Sequence, residues 1–254
     1  MIFPLRRAAM LLLLLLPALS VGTAAADEFS DAQKAEIGAI VRQYLLDNPE
    51  VLVEVSQELE RRQQEQQAEQ RQGVIGENAA SIFRGAGDLV AGNPEGDVTV
   101  VEFFDYNCSW CKRGMPEILA LIEEDKNVRL VMKEFPIFGA DSEYAAKAAL
   151  ASAAQGKYWE FHLALLGHEG KVSKQTVDEI AAAQGLDVAR LRADMDKPEI
   201  KDNIERNRQL GQAMAIEGTP AFIVDGTMIP GYVPKSSLAA TIAEIRKNGG
   251  CTYC

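Results

Sequence analysis

The stretch DVTVVEFFDYNCSWCKRGMP, residues 97–116, decides the fold. Its first half, residues 97–106, is a nearly continuous apolar, β-branched and aromatic run, the pattern of a buried strand. Its second half carries two cysteines two residues apart, Cys108 and Cys111, at the head of a helix expected over 108–125. Strand, cysteine pair and helix in that order is the arrangement that thiol–disulfide chemistry uses. Orphan N–H groups and the positive helix end favour the Cys108 thiolate, with Asn107 beside it as a candidate cap. Cys111, one turn on and more buried, is placed to attack a mixed disulfide formed at Cys108. A structural disulfide and half of a zinc site are the bland readings. The zinc reading needs Cys251 and Cys254, separated from Cys111 by a spacer far longer than four-cysteine zinc sites use.

Working outward, Glu102 lies inside the apolar strand, where a carboxylate is costly without a function or a partner. Buried, it would be raised in pKa and placed to pass protons to or from Cys111; facing outward, it would be an ordinary strand residue. Pro116 interrupts the active-site helix and frees the carbonyl of Lys112, which predicts a kink. Residues 127–136 alternate like a second strand, and 137–216 read as helix almost throughout, with one helix opening at Ser173 under a Val172–Val177 staple. EGTPAF, residues 217–222, puts Pro220 at the first position of a strand. A cis bond after Thr219 would leave the Thr219 backbone free to pair with an extended substrate. Residues 221–231 read as two short strands around Asp225-Gly226, and a last helix runs from Pro234 to Lys247. The layout is α/β with a helical block inserted in the middle.

Toward the N-terminus, Arg6 and Arg7, the apolar stretch 8–19 and the triplet Ala24-Ala25-Ala26 predict a secretory signal cleaved after residue 26. A transmembrane helix needs a longer apolar run. The expected exported chain carries 24 basic and 37 acidic side chains, net −13, which argues against nucleic-acid partners. Residues 30–46 read as a helix capped by Ser30 and Gln33, with an apolar stripe of Ile37, Ile40, Val41, Tyr44 and Leu45. After Asn48-Pro49 a second helix is apolar at Val51, Leu52, Val55 and Leu59, then polar until Gly73 and Gly76, which are expected to end it. This arm has no large core of its own, so its apolar faces must pack on the main domain or on another copy.

The motifs VEFFDYNCSWCKRGMP and GTPAF, with the helical insert between them, resemble the DsbA-like thioredoxin-fold proteins of the bacterial periplasm over residues 95–247. The arm AEIGAIVRQYLLDNPEVLVEVSQELERRQ is similar to the N-terminal region of the suppressor-of-copper-sensitivity (ScsC-like) subgroup, in some members of which the arm builds an oligomer. The resemblance implies an α/β thioredoxin fold with an inserted helical domain, preceded by an N-terminal helical arm. The expected organisation is a signal at 1–26, an arm at 27–76, a thioredoxin-like domain at 77–136 and 217–248, the helical insert at 137–216 and a tail at 249–254. It implies that Glu102, Cys108, Cys111, Thr219 and Pro220 are the buried carboxylate, the cysteine pair and the cis-proline loop. The implied activity is periplasmic thiol–disulfide exchange on exported proteins, as oxidase or isomerase, without cofactor or metal. The implied partners are unfolded or exported proteins, a membrane redox protein that resets the cysteines, and further copies of the chain through residues 30–72. Ser109-Trp110 has neither the Pro nor the His of the best-known DsbA dipeptide, so the oxidising strength is not implied. Trp110, with Ser109, is the candidate substrate contact.

Two other classes remain open: a thiol-based copper-binding or copper-tolerance protein, and a chaperone-like holder. His162 and His168, six apart, read as surface or packing residues. The tail CTYC repeats the spacing of the first pair without its electrostatics: it follows a helix C-terminus, and Cys254 carries the chain's terminal carboxylate. A local disulfide, a mobile dithiol, a redox relay and a metal site are its open readings, with a relay inside one subunit marginal in reach.

Overall fold

The structure is a computed structural model and describes residues 29–254; the expected signal segment lies outside the described residues. The chain divides into two units, one up to Leu59 and one from Glu60 to Cys254. In the first, helix α1 (Asp31–Asp47) opens on Ser30 in a complete capping box with Gln33 and buries none of its residues. Helix α2 (Glu50–Glu77) starts in this unit and continues into the second. It runs through Gly73 and Gly76 rather than ending there. Gly76 marks a close approach instead: a Cβ on it would lie 3.1 Å from the Tyr253 hydroxyl.

The second unit is built on a five-stranded sheet in the order β1-β3-β2-β4-β5. The strands are β1 (Leu89–Gly92), β2 (Val98–Phe104), β3 (Val128–Glu134), β4 (Ala221–Val224) and β5 (Thr227–Pro230). Strands β2 and β3 are parallel and the other pairs antiparallel. Helix α4 (Ser109–Glu124) is the crossover between the parallel strands, and α5 (Ala140–Ser152), α6 (Tyr158–Gly167), α7 (Lys174–Ala183), α8 (Val188–Asp194) and α9 (Pro198–Ala213) form the insert. Helix α10 (Lys235–Lys247) closes the fold, and the short α3 (Ala79–Phe83) precedes β1. Ser173 caps α7, with Val172 and Val177 both fully buried.

Period two along β2 builds both faces of the core. Val98, Val100 and Phe104 face α4, α10 and the insert. Val101 and Phe103 face the other layer with Ile75, Ile82, Phe83, Leu210 and Met214. Glu102 falls on the first face, beneath α4. Strand β3 is buried along its whole length despite Arg129, Lys133 and Glu134, because each of these side chains finds a hydrogen-bond partner. Arg129 donates to the Phe83 carbonyl at 2.6 Å, and the Lys133 ammonium bonds Asp88 and the Ser81 carbonyl. Glu134 accepts from the Tyr106 and Tyr158 hydroxyls at 2.8 and 3.1 Å. Strand β1 and helix α3 carry no strong sequence signal: each is five residues or fewer, and β1 forms because its pairing with β3 is available. No helix among the described residues is long and apolar enough to cross a membrane.

Candidate active site

Cys108 occupies the N-cap of α4 with extended backbone angles. Asn107, expected as the cap, does something else. Its side chain bonds both backbone groups of Val172, at 2.8 and 3.1 Å, and Ser142 Oγ at 3.1 Å. It ties the active-site turn to the helical insert. The Thr219–Pro220 peptide is cis, and the Thr219 carbonyl accepts the Cys108 thiol at 3.0 Å. The β4 strand, paired to β2, therefore brings a loop from over a hundred residues away onto the first cysteine. The Thr219 N–H makes no backbone hydrogen bond among the described residues.

The electrostatics separate the two sulfurs. Cys108 is lowered to about 6, chiefly because the Cys111 thiol hydrogen-bonds its sulfur; burial opposes this, and Thr219 and the backbone N–H groups of Cys111 and Trp110 assist. The N–H contributions are those expected of a sulfur at a helix N-terminus. Cys111 is pushed well above the ordinary thiol range by burial, by its bond to Cys108 and by the nearby Glu102 charge. Glu102 is 4 % exposed, and burial, with the neighbouring Cys108 charge, raises it to about 8. Near neutral pH the arrangement is a thiolate at Cys108, a thiol at Cys111 and a protonated carboxyl at Glu102. That set can attack a disulfide and keep a proton in reserve beside the second sulfur.

Trp110 is 49 % exposed, with the Arg113 guanidinium 4.7 Å from its ring and Tyr232 beside it at 5.7 Å between centroids. Ser109 is exposed as the first residue of α4. Pro116 sits inside the helix without ending it. His162 is a packing residue, buried against Phe104, Tyr106, Tyr158 and Trp159; desolvation lowers it to about 3, so it stays neutral.

Asp105 is the residue that sequence reasoning missed. Its buried carboxylate accepts from Asn107 N and Ser142 Oγ at 2.7 Å each, and from the backbone N–H groups of Ile137 and Phe138 at 2.8 and 3.1 Å. It holds the cysteine turn, the insert and the loop carrying the exposed Ile137 and Phe138 in one register. The available signal was a charged residue closing an apolar strand three positions before Cys108.

The tail pair is elsewhere. Cys251 and Cys254 form a disulfide, while Cys108 and Cys111 are free. Cys254 Sγ accepts from Thr99 N at 3.0 Å, its carbonyl accepts from Arg84, and Asp225 accepts the N–H groups of Thr252 and Tyr253. Thr99 lies at the start of β2 and Cys108 beyond its end, so the pairs are separated by roughly 17 Å or more at about 3.3 Å per residue. A relay within one subunit is out of reach, and the mobile dithiol gives way to a docked disulfide. Among the described residues no group of three or more His, Cys, Asp or Glu side chains is placed to hold a metal ion.

The family model described as DSBA-like thioredoxin domain matches residues 99–243, and the model described as Copper resistance protein ScsC N-terminal domain matches 33–66. Among solved structures, a thioredoxin-like oxidoreductase from Silicibacter pomeroyi is 47 % identical, covering 66 % of this chain and 97 % of its own, with a TM-score of 0.65. BcfH from Salmonella enterica Typhimurium is 30 % identical, covering 84 % and 96 %, with a TM-score of 0.71. Among curated proteins, the Na(+)/H(+) antiporter NhaA 3 of Salinispora tropica is 30 % identical over 64 % of this chain. The chain spans only 26 % of that antiporter's length.

Proposed function

The chain belongs to the DsbA-like thioredoxin family, and from that premise we propose that it catalyses thiol–disulfide exchange on exported proteins in the periplasm, with Cys108 as nucleophile and Cys111 as resolving thiol. The observation that carries this reading is Cys108 itself, at a helix N-terminus that favours its thiolate, with the cis-proline loop packed against its sulfur. The thiolate attacks one sulfur of a client disulfide. A Cys108–client bond forms, the client bond breaks, and the other client sulfur leaves as a thiolate. Loss of the Cys108 charge then removes one of the causes holding Glu102 protonated. With its proton passed to the client thiolate that has left, Glu102 can accept the proton of Cys111, whose thiolate attacks Cys108, breaks the Cys108–client bond and releases the reduced client. The reverse sequence transfers a disulfide to a client, and a membrane thiol–disulfide partner resets the pair.

Between oxidase and isomerase, the arm favours isomerase. Ten large apolar side chains of residues 29–59, among them Ile40, Val41, Tyr44, Leu46, Val53 and Leu59, are exposed. An apolar stripe of this kind calls for a covering partner, and further copies of the chain would hold several active sites around one misbonded client. A thiol-based Cu(I) reading keeps one support, the name of the family that the arm matches; the two thiols of Cys108 and Cys111 are soft ligands for it. The test of the exchange reading is an ultraviolet thiolate titration of the reduced protein. A transition near pH 6, absent in Cys108→Ser, is expected; a first transition in the ordinary thiol range near about 8.5 would count against it.

A further inference from the structure

Behind the cysteine pair, Glu102 shares a small internal cavity of about 10 Å³ with His162. That is room for about one water molecule. The rest of its wall is leucine, isoleucine, methionine and Trp159, without a charged side chain. The Glu102 carboxyl makes no hydrogen bond among the described residues. His162 meets the cavity in a fixed tautomer. The Tyr106 hydroxyl has one hydrogen and gives it to Glu134 Oε1 at 2.8 Å. Toward His162 Nδ1, 3.0 Å away, the same oxygen can therefore only accept, so Nδ1 carries the imidazole hydrogen. Burial lowers His162 to about 3, so the ring is neutral and Nε2 is a lone pair. Nε2 makes no hydrogen bond among the described residues, and Tyr106, on the Nδ1 side of the ring, is not part of the cavity wall. The cavity thus lies between a buried acid and a buried acceptor, each without a partner among the described residues.

We propose that a water molecule seated in this cavity accepts a hydrogen bond from the Glu102 carboxyl and donates one to His162 Nε2, and that Glu134 and Tyr106 hold His162 in the tautomer this requires. The inference rests on the exchange reading above and adds His162, Tyr106 and Glu134 as positioning residues behind Glu102. An acceptor at the end of the chain favours the protonated carboxyl, which can donate, over the carboxylate, which cannot. The opposite tautomer would present Nε2–H and favour the carboxylate. The other titratable groups facing Glu102 are Cys108 and Cys111 from α4 and Tyr158 from α6. Its neighbours across the sheet, Met132 on β3 and Phe222 on β4, do not titrate. With no cation in the cavity wall, the direction of this one chain of hydrogen bonds bears on when Glu102 gives up its proton.

Nitrogen-15 NMR of the full chain reads the tautomer. The chain has two histidines, and His168→Gln leaves the His162 signals alone for assignment. The hydrogen is expected on Nδ1; a hydrogen on Nε2 overturns the proposal. Carbon-13 NMR of carboxyl-labelled glutamate then follows Glu102, assigned by its loss in Glu102→Gln. Wild type is expected to titrate near 8. Tyr106→Phe and His162→Phe are expected to lower that midpoint by about one pH unit, a tenfold loss of proton affinity. The pH profile of mixed-disulfide resolution with oxidised glutathione shifts down by the same amount. Tyr158→Phe takes the other hydroxyl from Glu134 and leaves His162 its partner, so it keeps the Glu102 proton affinity within about twofold. Variants that lose stability in urea and leave the Glu102 midpoint where it was overturn the chain. Three variants whose midpoints fall together overturn it as well, because the cause is then a loosened core. Should either chain variant fail to fold, the tautomer in wild type decides alone. A wild type with the expected tautomer and midpoints that does not exchange with glutathione overturns the exchange reading and leaves the hydrogen-bond chain standing.

Discussion

Glu102 lies beneath α4, and its charge makes ionisation of Cys111 on that helix harder. In the reduced protein Glu102 titrates near 8 rather than 4.5. Between those values the folded chain keeps a Glu102 proton that the unfolded chain has lost, so the Glu102 contribution to stability falls as pH rises through that window, by about 3–5 kcal/mol, while Cys108, lowered to about 6, adds stability in its upper part. The difference between wild type and Glu102→Gln in urea denaturation at the two ends of the window isolates the Glu102 part. The same variant slows resolution of the mixed disulfide by about ten- to a hundredfold if the carboxylate is the base for Cys111. A stopped-flow trace with an unchanged second phase would remove Glu102 from the mechanism. Both cysteines and Glu102 were legible in the sequence because chemistry and local pattern coincide there. Asp105 and the bridging role of Asn107 were not: their partners, Ser142, Ile137, Phe138 and Val172, are at least 30 residues away, and no local pattern encodes a hub of that reach.

At the scale of elements, the long strands and helices could be read from periodicity, and the ends of elements could not where tertiary contacts set them. Gly73 and Gly76 looked like stops for α2. The helix continues because α2 packs Ile75 into the core and the tail seats Tyr253 over Gly76. The second cysteine pair belongs to this contact. With Thr252 and Tyr253 bonded to Asp225, and Cys254 bonded to Thr99, the tail disulfide fastens the chain end across the far end of the sheet. A Cys251→Ser, Cys254→Ser variant should lose about 2 kcal/mol, the loop entropy of so short a ring. Its thermal midpoint should fall by a few degrees. Its rate of insulin reduction should equal wild type; a variant that lost turnover with its reductase would restore the relay reading between subunits.

For the whole molecule, the division at Leu59 separates a unit that buries almost nothing from one with a complete core. A chain without residues 27–59 is expected to be a monomer that still reduces insulin, since the cysteine site lies entirely in the second unit. It is expected to fail at reshuffling scrambled ribonuclease, which needs a client held while several bonds exchange. An arm-less chain that keeps the full oligomer mass in light scattering, or that still reshuffles, would place the multivalency elsewhere. The most direct measurement of the central claim is capture of clients by the full chain carrying Cys111→Ser. With resolution blocked, exported proteins should accumulate as mixed disulfides on Cys108, visible by mass spectrometry and released by dithiothreitol. Clients that are absent, or that are joined instead through Cys251 or Cys254, would contradict the account.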